Sequence, residues 1–266
     1  MVLEQFIKTQ WLERKEHSFF LGIAYTIIGI VSAYLILPSY AGILSIAFTS
    51  ILLIPSLNIL LQEEENIEVR EKKFSIPLLI KDHLDIIRVY LFLFMGIFVT
   101  YFGCAMLLGS ETVMFLFKEQ LTLTGLIGNA TSSAHFFGIL NNNIIVFAVA
   151  FILSFFYGAG AIIFLTINAS VWGTYFGYVF KTTLFATENG GFSALMIKVA
   201  SILPHTMTEA MAYILAAIVG GIVSKAVLRE KFLSREFNHI ITDALLFLAI
   251  GFFCVIIAAI LEVYVF

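Results

Sequence analysis

Long apolar runs separated by short polar stretches make up most of this chain. A bilayer-crossing helix needs roughly 20 mostly apolar residues. Seven runs approach or exceed that length: Phe19 to Leu37, Tyr40 to Leu61, Ile86 to Leu108, Asn142 to Tyr157, Ala161 to Phe180, Thr206 to Leu228 and Ile240 to Val265. The pattern predicts an all-α fold, a polytopic integral membrane helical bundle with about seven membrane segments. The fourth run is the shortest and joins the fifth through Tyr157-Gly158-Ala159-Gly160, a break without a charge. These two are therefore either full spans or a re-entrant pair that dips in and returns.

The stretches between the runs carry their own pattern. Leu3, Phe6, Ile7, Trp11 and Leu12 recur at helical spacing, with Glu4, Lys8, Glu13, Arg14 and Lys15 on other faces. Residues 1–17 read as an interfacial amphipathic helix. The first run is longer than a signal-peptide core, and no small-x-small cleavage site follows, so it reads as a retained span. The polar insertion 62–85, with Glu63-Glu64-Glu65 and a mixed-sign run from Glu68 to Lys73, reads as a solvated helical surface on the cytoplasmic side. Val113 to Leu126 and Phe192 to Leu203 are too apolar for free loops and are expected to lie against the membrane or cap the bundle. The whole of 1–266 reads as one helical membrane domain.

Composition agrees with the pattern. The chain is 61% hydrophobic and only 12% charged, with a mean hydropathy of +1.01, too apolar to keep so many long runs inside one water-soluble core. Of its 15 Lys and Arg, all but Lys118, Lys181 and Lys198 fall in segments that share a side when the N-terminus is cytoplasmic. That excess predicts an N-in, C-out orientation and a place in the cell membrane. Net charge is −3, with the basic residues in loops rather than in a stripe, so a nucleic-acid partner is not expected. Cys104 and Cys254 both fall within spans, which argues against a disulfide framework.

A few polar residues interrupt the apolar runs, and these are where chemistry is to be sought. In Leu203-Pro204-His205-Thr206-Met207-Thr208-Glu209, the imidazole and carboxylate are four apart and share one helix face. Pro204 reads as the start of that helix, because a proline in the first turn gives up no hydrogen bond. The His205/Glu209 pair is either a relay, ion or substrate site or a hydrogen-bonded pair that holds helices together. Asn141, Asn142 and Asn143 open the fourth run; one amide suffices as a helix cap, which leaves others to reach toward His205. Asn168 lies midway along the fifth run and needs a partner there. His205, Glu209, Asn168, Asn142 and Asn143 are expected to form one polar cluster. His135 reads as interfacial, Asn129-Ala130-Thr131 as a chance match to a glycosylation site, and Asp243 and Glu262 as solvated ends of the last span.

Small residues supply the packing candidates. Ala212, Ala216 and Gly220 recur every fourth residue on the sixth run, Gly173 and Gly177 lie on the fifth, and Gly158 and Gly160 sit in the break. Such spacing clears a groove for close helix approach.

Taken in order, Asn142-Asn143, Gly158-Ala159-Gly160, Asn168 with Gly173, and Leu203-Pro204-His205 with Glu209, Ala216 and Gly220 resemble the stage II sporulation protein M family. The resemblance covers about 138–228. Thr206, Ala169 and Met211-Ala212 stand where that family often has Gly, Gly and Leu-Pro. The family's namesake is a polytopic component of a spore-engulfment machinery that works beside a peptidoglycan hydrolase. The resemblance thus implies a non-enzymatic subunit or scaffold that meets other membrane proteins or itself. The intramembrane polar residues imply instead a transporter or channel for a small solute, ion or lipid. An intramembrane hydrolase comes third, because neither a His-Glu-x-x-His zinc motif nor a serine motif is present. No cofactor, metal or catalytic residue is expected.

Overall fold

The computed structural model describes residues 15–68, 76–124, 136–157, 162–186 and 191–265. Residues 1–14 of the interfacial helix expected over 1–17, most of the mixed-charge run, Asn129, His135, Gly158 and Gly160 lie outside them. All secondary structure among the described residues is helical: α1 (Lys15–Ile36), α2 (Ala41–Glu68), α3 (Ile76–Leu107), α4 (Ser110–Leu116), α5 (Lys118–Leu123), α6 (Phe136–Tyr157), α7 (Ile162–Ala186), α8 (Gly191–Arg229) and α9 (Arg235–Val265). A short 3-10 turn, Pro38–Tyr40, links α1 to α2. Seven of these helices are long and apolar enough to cross a membrane, as the runs predicted. The polar insertion is partly helix, because α2 continues to Glu68 and α3 begins at Ile76.

The fourth and fifth segments are full-length helices. With 22 residues in α6 and 25 in α7, they extend about 33 and 37 Å at 1.5 Å per residue, enough for a hydrocarbon core of roughly 30 Å. The fold-back in the chain lies elsewhere. The Phe117 ring meets Tyr101 at 5.4 Å, and Tyr101 sits six residues, about 9 Å, before the end of α3. Gln120 Nε2 donates to the Gly42 carbonyl of α2 at 3.1 Å, and Gln120 and Leu121 are fully buried. So α4 and α5 cap the bundle by turning back into it between α2 and α7. The Lys181 ammonium of α7 closes the same end by donating to the Leu108 carbonyl just past α3.

Close approaches at glycine fix the pairing. Gly22 of α1 crosses Gly96 of α3, where a Cβ on either would meet the other helix's backbone. Gly173 and Gly177 of α7 rest on the α3 carbonyls of Phe98 and Phe102, and Gly220 of α8 rests on that of Phe151 in α6. Ser154 ties the same α6–α8 contact by donating to the Ala217 carbonyl at 2.5 Å. Helices α1, α2, α3 and α7 form one group, α6, α8 and α9 another, and α7 packs on α8 to join them.

Helix α8 is the axis of this arrangement. Every residue from Ala212 to Val223 is buried, so Ala212, Ala216 and Gly220 lie on one face of a helix enclosed on all sides. Pro204 is inside this helix, not at its start. The apolar residues upstream carry the helix back to Gly191, and the missing N–H of Pro204 removes only the bond to the carbonyl four residues back. Around it Thr206 donates to the Ile202 carbonyl at 2.9 Å and Thr208 to the Pro204 carbonyl at 2.7 Å, hydroxyl bonds to carbonyls one turn back in the same helix.

If backbone contact at glycine sets the helix pairing, Gly177→Val should destabilise the protein by about 1–3 kcal/mol. A Cβ there would lie 2.5 Å from the Phe102 oxygen and 2.8 Å from Ala105 Cβ. At Gly103 a Cβ meets nothing within 4 Å, so Gly103→Ala should hold or raise stability. Thermal unfolding of both variants in detergent micelles checks this; equal losses would contradict it.

Candidate functional site

Five helices converge on a cavity with a largely polar lining. Leu123 and the adjoining Thr124 enter from α5, Asn142 and Asn143 from α6, Trp172 and Tyr175 from α7, His205 and Glu209 from α8, and Glu262 from α9, around a volume of about 560 Å³. Each side chain reaches it for a local reason. The i,i+4 spacing of His205 and Glu209 aligns them on one face of α8. The turn-back of α4–α5 brings Leu123 to the rim. Antiparallel packing of α9 on α8 places its last turns beside Glu209.

The central contact is a hydrogen bond from Asn143 Nδ2 to Glu209 Oε1 at 2.7 Å. Both residues are buried, at 4% and 7% exposure. A carboxylate removed from water needs donors, and Asn143 supplies one from a neighbouring helix. Asn142 is exposed and lines the cavity rather than binding Glu209; its amide reaches Asn143 Oδ1 only at 3.5 Å. His205 is buried, hydrogen-bonds the Ser201 backbone one turn earlier, and meets the Trp172 ring edge-on at 5.9 Å. Trp172 in turn contacts Tyr175 at 5.9 Å, almost perpendicular. Glu262 stands within electrostatic reach of Glu209, and Tyr213 within reach of both.

Asn168 does not join this group. Its Nδ2 donates to the Phe164 carbonyl one turn back at 2.8 Å, so the amide is satisfied within α7, and Trp172 one turn on faces His205 instead. Two acidic residues expected to be merely solvated have other places. Glu262 lines the cavity. Asp243 is buried, with His239 Nδ1 at 3.0 Å from its carboxylate. The four-residue spacing of His239 and Asp243 was a usable signal for that pair. Nothing in the sequence pointed Glu262 at Glu209 or Trp172 at His205, because only helix pairing sets those contacts.

The lining carries two carboxylates, two amides, an imidazole and two aromatic rings, and no lysine or arginine. Such walls repel anions and favour a cation or a group rich in hydrogen-bond donors, with the ring faces adding cation–π attraction. Among the described residues no three His, Cys, Asp or Glu stand close enough to hold a metal ion.

Replacing Asn143 by Leu leaves the buried Glu209 carboxylate without its cross-helix donor and should cost about 1–3 kcal/mol. Adding Glu209→Leu should return part of that loss, because both members of the pair are then gone. Unfolding of the two single variants and the double variant tests this; strictly additive losses would show that the pair is not coupled.

A comparison with known families gives one match: the stage II sporulation protein M family model aligns with residues 89–265. That stretch begins in α3, takes in every residue of the cavity, and is wider than the 138–228 resemblance read from motifs. Neither the curated proteins nor the solved structures give a match.

Proposed function

The chain belongs to the stage II sporulation protein M family, and from that premise we propose a non-enzymatic membrane protein that takes a small cationic or donor-rich group into the cavity at Glu209 and moves it. The group belongs to a solute, an ion or a lipid head. The observation that carries this reading is the Asn143–Glu209 hydrogen bond on the wall of an open cavity that also holds Glu262. A pair that served only to hold α6 against α8 would need no such space beside it. The small-residue contacts support the same reading, since Gly173, Gly177 and Gly220 are occupied by helices of this chain and are not left over for a partner.

A second reading is a subunit of a membrane complex. It is favoured by the resemblance to a component of a multi-protein machinery and by the α6 span, of which only 22% is buried. That leaves most of α6 to lipid or to partner helices.

Flux into proteoliposomes separates the two. Wild-type protein should move a small ammonium probe such as methylammonium faster than empty liposomes do. Glu209→Gln, which keeps an acceptor for Asn143, and His205→Ala should both lower the rate at least tenfold while the protein remains folded. If wild-type protein moves neither the ammonium, a polyol nor a fluorescent lipid, and co-purifies stoichiometrically with a membrane or wall enzyme, transport fails and the complex-subunit reading stands.

A further inference from the structure

A second cavity, of about 580 Å³, lies between α2, α5 and α7 and meets the first only through Leu123. Its walls are apolar along most of their length, formed by Ile43, Ile46 and Ala47 of α2 and by Ile163 and Ile167 of α7. An apolar cleft in a bilayer-embedded bundle offers water no partners and suits a hydrocarbon chain. The polar groups are gathered at one wall, on α5, in Lys118, Glu119, Gln120 and Thr122.

Those residues hold an unfilled requirement. Gln120 is fully buried, and its Nε2 donates to the Gly42 carbonyl, but its Oε1 accepts from no group among the described residues. Glu119 Oε2 is likewise buried without a donor. Both oxygens crowd the point where a Cβ on Gly42 would stand, so they are close enough together for one donor group to reach both. A buried acceptor left unmade is costly, and a primary ammonium, with three N–H groups, satisfies two at once. Beside them Lys118 is exposed and offers a cation for phosphate. The same cavity thus has on its walls an unpartnered acceptor pair, a lysine and an apolar groove.

We propose that the α2–α5–α7 cleft binds a bilayer phospholipid with a primary-amine head group, its ammonium at Glu119 and Gln120, its phosphate at Lys118 and one chain along Ile43 and Ile163. The site is separate from the Glu209 cavity and does not rest on the transport reading.

Native mass spectrometry of the full chain in detergent, with added lipid, tests the assignment. Phosphatidylethanolamine should be retained about tenfold more than phosphatidylcholine of the same chains, because the choline head has no N–H to give. Glu119→Ala should remove that preference, and Ile163→Trp, which fills the groove without touching the acceptors, should reduce retention of both lipids. Soluble phosphoethanolamine, which lacks the chains, should not compete. Equal retention of the two lipids by wild-type protein, displacement by the soluble head group alone, or a preference for phosphatidylglycerol, which Lys118 alone would produce, would each overturn the proposal. So would variants that bind as the wild type does.

Discussion

A carboxylate inside hydrocarbon must have a donor, and α8 carries Glu209 within a helix enclosed by its neighbours. The donor comes from Asn143 on α6, so α6 and α8 must lie side by side at that level. The contact of Gly220 with Phe151 and the bond from Ser154 to Ala217 extend the same alignment toward the other end. Once α6 is fixed against α8, α9 closes over the third side and brings Glu262 to the pair. Helix α7, held to α3 by Gly173 and Gly177, presents Trp172 to His205. One polar contact and a few backbone-to-backbone approaches thus decide where five helices meet, while apolar burial, which has no direction of its own, holds them together.

The spans were legible because a bilayer imposes length and apolarity on every crossing helix. Their ends were less so. The Asn141-Asn142-Asn143 run suggested a helix start, yet α6 begins at Phe136, and Asn143 answers a demand made by Glu209 rather than capping a terminus. Pro204 suggested another start, yet α8 begins at Gly191 and runs through it. The apolar stretch after α3 was recognisable as a segment that lies against the membrane or caps the bundle. Its turning back between α2 and α7 depends on Gln120 finding the Gly42 carbonyl, a partner 78 residues away, and no local pattern reveals that.

The site divides in the same way. His205 and Glu209 share a face by spacing alone, so their association could be read from the chain. Asn168 misled because a side-chain amide in a helix can bond the carbonyl four residues back, and Phe164 meets its need. Glu262 and Trp172 became part of the site only through the α8–α9 and α7–α8 packings.

A transport role for Glu209 requires that water reach its niche. Ile202 and Ile218 are equally buried on α8, at 2% exposure each, but Ile202 lines the cavity and Ile218 does not. With Cys104 and Cys254 replaced by Ala, a cysteine placed at either position reports on water, since only a hydrated thiol ionises and reacts readily. The rate of modification by a small, charged, water-soluble thiol reagent is the direct measurement. Ile202→Cys should react at least tenfold faster than Ile218→Cys. Equally slow reaction at both positions would mean that the cavity is closed and dry, and that Glu209 and Asn143 serve only to hold helices together.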